Sequence, residues 1–401
     1  ARVRVRGLRL AARPARDPAR GAQMATCWGA AVGLSMVDAV RGAEFQTRFL
    51  LAALADGDPY QAALGLALEA GHAAASGIGS AARSAHCLRL AQAHAQASGR
   101  PHAIAMTRAA AGVVAYLEGR FLDAIDQTEA GARQLRAECV GATWERDTAV
   151  IVAAWARAYL GRLRELDSAL PPLLAEAEDL GDLYLATSLT TGTLVMWPLA
   201  RGDAASARAA ATEAMRRWTH QGFLHQHWDD LLGQGEIDLY EGDAAGAHRR
   251  VVATWPSLVR AMVLHIQMSR CEAWSLRARA ALAQVATAGP RRAAMVAEVR
   301  RGAKALRGQA PWTAPVAALL GAGLAASSDD TRGAIAGLRE AIAGFDRVGM
   351  AVHAAAARRR LGALCGGAEG ASLTAAAEAF EAREGVVDPA RLTAWLAPGF
   401  F

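Results

Sequence analysis

A glycine-centred pattern recurs four times along the chain and constrains its fold more than any other feature. In each copy an apolar stretch with helical periodicity leads to a glycine, and a small or apolar residue follows five positions later. The four glycines, Gly119, Gly161, Gly202 and Gly242, are 42, 41 and 40 residues apart. A repeat of this length is typical of stacked helical hairpins. The chain is therefore predicted to be a helical array, which is more often a binding scaffold than an enzyme.

The pattern has a direct interpretation as a tight turn between antiparallel helices. Glycine adopts the left-handed conformation that ends a helix without a Cβ clash. Asp203 and Asp243 each follow a repeat glycine and are suited to cap the next helix. The residue five positions on is small, apart from Leu166, and is expected to face the preceding helix. We predict an all-α fold, a right-handed solenoid of antiparallel hairpins that resembles tetratricopeptide-type repeats lengthened to about 40 residues.

The pattern also predicts how the chain is organised. Residues 1–20 form an irregular basic segment, and residues 21–401 form one continuous solenoid. Helices are predicted near 22–40, 59–75, 81–98, 182–200, 260–286 and 331–348, among others. The pair Asp329-Asp330 stands where a repeat glycine would fall, 87 residues after Gly242 and close to two periods.

Charge and cysteine usage indicate the general class of protein. The net charge of +6 is carried almost entirely by arginine, since Lys304 is the only lysine. The basic clusters lack interleaved aromatic residues, so nucleic acid is an unlikely partner. The five cysteines are scattered and no uncharged stretch reads as a membrane-spanning helix, which favours a reducing, cytoplasmic location without membrane insertion. The chain starts at Ala1 rather than methionine, which is compatible with a fragment of a longer protein.

No catalytic or cofactor motif is evident. Lys304 is not followed by serine or threonine, so it does not complete a nucleotide-binding P-loop, and the kinase motifs HRD and DFG are missing. The densest polar cluster contains His220, His225, His227 and Asp229, but only His225 and Asp229 share a helix face. We therefore predict no catalytic residues, no cofactor and no metal within this chain.

A groove lined by the first helix of each pair is the remaining candidate site. Matching positions 14 and 17 residues before the repeat glycines carry polar and aromatic side chains, and further hydroxyl groups lie nearby. Such groups suit a peptide-binding groove. The candidate groove residues are Trp144, Asp147, Thr187, Ser188, Thr191, His225 and Trp228. The alternative, that Trp144 and Trp228 are core residues, is equally compatible with the pattern.

Several stretches together resemble one family. They include Cys27-Trp28, Trp144-Glu-Arg-Asp-Thr-Ala149 and Gln221-Gly-Phe-Leu-His-Gln-His-Trp228, and the terminal Asp388-Pro-Ala-Arg-Leu-Thr-Ala-Trp-Leu-Ala-Pro-Gly-Phe400. These are similar to the C-terminal tetratricopeptide-like region of large bacterial serine/threonine protein kinases of the myxobacterial type. In that family a kinase domain and a P-loop ATPase module precede the repeats.

The resemblance implies a non-catalytic role. It implies a regulatory, protein-interaction region in signal transduction, whose partner is a protein or peptide, including the upstream kinase and ATPase modules. Two alternatives remain open, the sensor solenoid of an ATPase-type transcriptional regulator and a free-standing tetratricopeptide-like adaptor.

Overall fold

A computed structural model describes residues 7–11, 18–35, 39–218 and 221–400. Within these ranges all regular secondary structure is helical, which confirms the predicted all-α class and is consistent with an α-solenoid. The helices are α1 Pro18–Ser35, α2 Ala39–Asp56, α3 Pro59–Ala75, α4 Ala81–Ser98, α5 Pro101–Leu117, α6 Phe121–Glu138, α7 Thr143–Leu160, α8 Leu163–Leu180, α9 Leu183–Thr190, α10 Met196–Ala200, α11 Ala204–Arg217, α12 His225–Glu241, α13 Ala244–Arg260, α14 Gln267–Leu282, α15 Arg292–Leu306, α16 Thr313–Ala326, α17 Thr331–Val348, α18 Ala351–Cys365, α19 Gly367–Glu384 and α20 Pro389–Leu396.

The repeating turn has the geometry that the sequence predicts. Gly119, Gly161, Gly202 and Gly242 have φ values of 80°, 72°, 78° and 88°. The amide after each glycine donates to the carbonyl five residues back, as in Asp243 N to Asp238 O at 2.8 Å. This hydrogen bond defines a Schellman motif and satisfies a carbonyl that the helix end would otherwise leave open.

The second half of the turn starts the next helix. Asp203 and Asp243 accept hydrogen bonds from Ser206 N at 3.0 Å and Gly246 N at 2.8 Å. Asp329, in the place of a repeat glycine, adopts a left-handed φ of 59°, and Asp330 caps α17 through Gly333 N at 2.8 Å. Aspartate tolerates this conformation better than most residues, which explains the substitution.

The residue five positions after each repeat glycine is buried, as predicted. Ala124, Leu166, Ala207 and Ala247 are at most 4% exposed. Leucine at 166 is accommodated at 0% exposure, so the small-residue preference is not absolute.

The predicted boundary between the first segment and the first helix was wrong by a few residues. Helix α1 begins at Pro18 rather than near residue 22, since proline is favoured at the first helical position. Residues 36–38 of the predicted helix 22–40 lie outside the described ranges. Of the predicted irregular segment 1–20, residues 7–11 are irregular, and residues 1–6 and 12–17 lie outside the described ranges.

The predicted helix 182–200 is interrupted after Thr190. Thr191 is extended, Gly192 has a φ of 62°, and a 3₁₀ turn spans Gly192–Val195 before α10. Pro198 has no amide hydrogen to donate to residue 194, and the β-branched Thr191 and Thr193 have weak helix propensity. These local effects add up to a break within one repeat.

The predicted helix 260–286 contains an unrecognised turn. Met262 takes a left-handed φ of 62°, a 3₁₀ turn covers Val263–His265, and α14 starts at Gln267. Residues 257–288 contain neither glycine nor proline, so the usual turn signal is missing from the sequence. Arg270 Nη1 donates to Leu264 O at 2.7 Å and satisfies a carbonyl freed by the turn.

The chain divides into two compact units. Unit 1 comprises Ala1–Ala153 with Gly222–His225, and unit 2 comprises Ala154–Gln221 with Gln226–Phe401. In unit 1, α2 and α3 pack through Leu50, Leu54 and Leu66, each 0% exposed. Irregular residues 7–11 are held there by the hydrogen bond from Ala11 N to Leu54 O at 2.9 Å. The prediction of a single continuous array over 21–401 stays a prediction.

Helices of unit 2 alternate between an interior and a peripheral set. Helix α12 is buried on nearly all sides, whereas α13 buries only Ala247, Val251 and Leu258. The same contrast separates α16 from α17, because α16 is apolar around its whole circumference and α17 has one apolar face. The interior helices α12, α14, α16 and α18 therefore supply the core of the unit.

The first and last hairpins of unit 2 meet. Arg164 N donates to Glu384 Oε2 at 3.2 Å, and Val387 N donates to Ala200 O at 2.9 Å. At Gly161 the backbone is so close to α18 that a Cβ atom would lie 2.9 Å from Val352 N. Unit 2 consequently closes on itself around a common interior.

None of the described helices combines sufficient length with sufficient apolarity to cross a bilayer.

Candidate ligand cavity in the second unit

The interior of unit 2 contains a cavity of about 70 Å³. Its wall is mostly apolar, with three large aromatic rings and a small group of polar side chains, which is the usual make-up of a small-molecule site. The lining residues are Tyr159, Thr193, Val195, Met196, Leu232, Glu236, Glu272, Ser275, Arg279, Leu282, Trp312, Val316, Leu319, Leu320, Met350, His353, Trp395, Leu396 and Pro398.

Helix α14 contributes one face to the cavity. Glu272, Ser275, Arg279 and Leu282 follow each other at intervals of three, four and three residues. This spacing places all four on the same side of an α-helix. The helix therefore brings a carboxylate, a hydroxyl and a guanidinium to one wall.

Glu236 of α12 is held by two partners. Its Oε1 forms an ion pair with Arg279 Nη2, and its Oε2 accepts a hydrogen bond from Trp395 Nε1 at 2.7 Å. Glu236 and Arg279 are each 9% exposed, and Trp395 is 2% exposed. The cluster joins α12, α14 and α20, and its two opposite charges balance.

Glu272 lines the cavity, and no cationic side chain among the described residues pairs with it. Its Oε1 accepts hydrogen bonds from Tyr159 OH at 2.5 Å and Thr193 Oγ1 at 3.4 Å. Among the described residues no donor reaches its other oxygen, Oε2. Burial raises the pKa of this carboxyl to about 7. The hydrogen bond from Tyr159 opposes this rise, and the nearby charges of Asp229 and Glu236 add to it.

The pKa of His353, on α18, is shifted in the opposite direction. Burial, with a smaller contribution from the Arg279 guanidinium, lowers the pKa of His353 to about 3. The imidazole is therefore neutral at pH 7. Its ring packs on Phe345 with centroids 5.3 Å apart, and its Nδ1 has no hydrogen-bond partner among the described residues.

The predicted groove residues fall into both units. Trp144, Asp147 and His225 belong to unit 1, where Asp147 is 1% exposed and pairs with Arg146 Nη2 at 2.7 Å. In unit 2, the buried residues Thr187, Ser188, Thr191 and Trp228 are at most 2% exposed. Full burial favours the core alternative for Trp228, and a shared groove stays a prediction.

Sequence reasoning missed the polar groups of the cavity. Glu236, Glu272 and His353 do not occur at the positions that match between repeats, so the comparison of repeats passed over them. The available signal was a charged residue within a short stretch of mostly apolar and small residues. Glu236 in Leu231-Leu-Gly-Gln-Gly-Glu-Ile237 is such a case.

The part of the chain that the structure describes contains no group of three or more histidine, cysteine, aspartate or glutamate side chains arranged to hold a metal ion. His220 of the polar cluster lies outside the described ranges.

No protein-family model matches the chain, and no curated protein shows significant sequence similarity to it. The resemblance to bacterial kinase C-terminal regions therefore stays a prediction.

The raised pKa of Glu272 predicts a pH-dependent stability. Folded protein retains the Glu272 proton up to about pH 7, whereas the unfolded chain loses it near 4.5. The part of the free energy of unfolding that depends on this proton is fully present below pH 4.5. It is lost as the pH rises from 4.5 to 7, a decrease of up to about 3 kcal/mol. We expect Glu272→Gln to gain that much stability relative to the wild type between pH 4.5 and 7, measured by chemical denaturation.

Comparison of the wild type with Glu272→Gln separates the effect of Glu272 on stability from the effects of neighbouring charged groups. His353 destabilises both proteins as the pH falls from 6.5 towards 3, and Tyr159, Asp229, Glu236 and Arg279 are common to both. A stability difference that stays constant between pH 4.5 and 7 would contradict the prediction.

Proposed function

We propose that this chain is a non-enzymatic regulatory module whose second unit binds a small molecule in its interior. The observation that supports the proposal is the closed interior of unit 2, which holds a cavity with buried polar groups. Buried carboxylates and a guanidinium are costly in a core that needs only stability. Their concentration around one cavity is better explained by ligand recognition.

The finer description follows the sequence. We infer a right-handed, tetratricopeptide-like solenoid that belongs to a cytoplasmic bacterial serine/threonine protein kinase with an ATPase module. The kinase and ATPase modules are the proposed protein partners. The same cavity also suits the sensor of an ATPase-type transcriptional regulator. Sequencing the upstream coding DNA distinguishes these parents, since one predicts HRD and DFG motifs and the other a helix-turn-helix.

The proposed mechanism is a ligand-dependent shift between states of unit 2. The cavity wall combines Tyr159 of the first hairpin of unit 2, Glu272 of α14 and Trp395 of the last helix, α20. A ligand that contacts all of these favours the closed arrangement over any opened one. The resulting stabilisation is about 2.7 kcal/mol at a concentration 100 times the Kd. An attached module that binds only one arrangement would respond to the ligand.

Thermal unfolding with a panel of small probes tests this function. The panel contains isobutylamine, isobutanol and isobutyrate, and the variant Ser275→Leu fills the cavity from α14. At least one probe is expected to raise the Tm of the wild type and to leave the Tm of Ser275→Leu unchanged. Leu320→Phe, from α16, is the second blocking variant if Ser275→Leu fails to fold. The proposal is wrong if every probe is silent, or if the blocked proteins respond as the wild type does.

A further inference from the structure

We propose that the cavity of unit 2 selects a small organic cation, whose ammonium group lies between Glu272 Oε2 and the rings of Tyr159 and Trp312. The inference rests on the proposed function, because it names the chemical class of the ligand for the same cavity. Three properties of the wall point to this class: its charge, its aromatic rings and its size.

The charge of the wall calls for a cation. The charges of Glu236 and Arg279 cancel in their ion pair. His353 is neutral at pH 7. Glu272 is then the one wall carboxylate without a cationic partner among the described residues. An ammonium group at Oε2 supplies the missing charge and a hydrogen-bond donor.

An anion is disfavoured for the same reason. Arg279 is the cationic residue of the wall, and its charge is already neutralised by Glu236. An added carboxylate or phosphate would also be repelled by Glu272 and by Asp229, which acts on Glu272 electrostatically. The wall therefore discriminates between ligands of opposite charge.

Two aromatic rings share the cavity wall with Glu272. Tyr159 donates to Glu272 Oε1, and the Tyr159 and Trp312 ring centroids are 5.3 Å apart at an interplanar angle of 58°. Both rings line the cavity. Aromatic faces attract organic cations by about 0.5–2 kcal/mol each, the larger values applying to desolvated sites. Carboxylate and rings together form a wall typical of ammonium recognition.

The size and the remaining wall define the rest of the ligand. A cavity of about 70 Å³ holds on the order of five water-sized groups. Leu319, Leu320 and Met350 add apolar surface to the wall. An ammonium with a short branched alkyl chain matches both properties.

Isothermal titration calorimetry with matched probes tests the inference at pH 8. Isobutylamine, isobutanol and isobutyrate share their carbon skeleton and differ in charge. We expect isobutylamine to bind the wild type at least tenfold more tightly than the other two. Glu272→Gln, which keeps the shape of the side chain, is expected to lose at least tenfold in isobutylamine affinity.

Control variants separate binding from folding. Glu381→Gln alters a carboxylate of unit 2 that is 2% exposed, is paired with Arg359 and does not line the cavity. This variant should bind isobutylamine as the wild type does. If Glu381→Gln unfolds, Glu340→Gln replaces it as the control, since Glu340 is exposed. Circular dichroism verifies that each protein is helical before titration.

The outcomes distinguish the cation from the cavity. Equal or tighter binding of isobutanol or isobutyrate would overturn the cation inference, while the proposed function would stand if Ser275→Leu abolished that binding. Retained isobutylamine affinity in Glu272→Gln would likewise overturn the inference. Silence of all three probes would contradict both proposals.

Discussion

Replacing Arg279 with methionine is expected to lower the free energy of unfolding by about 3–5 kcal/mol, because it leaves a buried carboxylate without its cation. Glu236 is 9% exposed and keeps only the hydrogen bond from Trp395 Nε1 at 2.7 Å. Methionine retains much of the volume of arginine, so the loss reports charge rather than packing. Chemical denaturation at pH 7 measures the effect.

A double variant tests the cause of this loss. Adding Glu236→Gln to Arg279→Met removes the uncompensated charge and retains an oxygen that accepts from Trp395 Nε1. Most of the lost stability should return, since apolar or neutral replacements of a buried ion pair are often well tolerated. If the double variant is as unstable as the single one, the loss arises from packing.

An exposed ion pair provides the comparison. Arg339 and Glu369 lie 2.8 Å apart with side chains 57% and 56% exposed. Arg339→Met is expected to change stability by at most about 1 kcal/mol. If Arg279→Met costs as little stability as Arg339→Met, the interior of unit 2 is hydrated like the surface.

Replacing Gly161 with alanine is expected to cost about 2–5 kcal/mol, the second large effect. The left-handed φ of 72° carries a strain of about 1–2 kcal/mol for alanine. A Cβ atom would also lie 2.9 Å from Val352 N and 3.2 Å from Phe380 Cζ, and overpacking of this kind costs about 1–3 kcal/mol. The midpoint of chemical denaturation measures the combined loss.

Gly242→Ala is the matched control for this prediction. Gly242 occupies the same position of the repeat with a φ of 88°, but nothing lies within 4 Å of a Cβ atom there. It should lose only the backbone term of about 1–2 kcal/mol. Equal losses at 161 and 242 would contradict the close contact between the first and last hairpins of unit 2.

Local structure followed from the sequence to a large extent. The predicted helices 59–75, 81–98 and 331–348 match α3, α4 and α17 residue for residue. Their ends carry local signals, such as Asp58-Pro59 before α3, which act through neighbouring atoms only. The turn at Met262 was missed because a non-glycine residue adopts the left-handed conformation without any such signal.

The cavity could not be predicted in the same way. Tyr159 and Glu272 form a hydrogen bond across 113 residues, and Glu236 and Trp395 form one across 159. Each of these residues alone reads as an ordinary helix residue. Their combination depends on the closure of unit 2, which the repeat pattern does not encode.

The sequence by itself determined that the chain is helical, where most hairpins turn and which small residues pack at each turn. These properties depend on backbone conformation and on side chains a few residues apart. Tertiary structure alone decided that Gly161 meets Val352, that Glu236 pairs with Arg279, and that Glu272 lines the cavity beside Tyr159. The physical reason is that curvature accumulates over many hairpins, so small packing differences in each repeat decide whether distant helices meet.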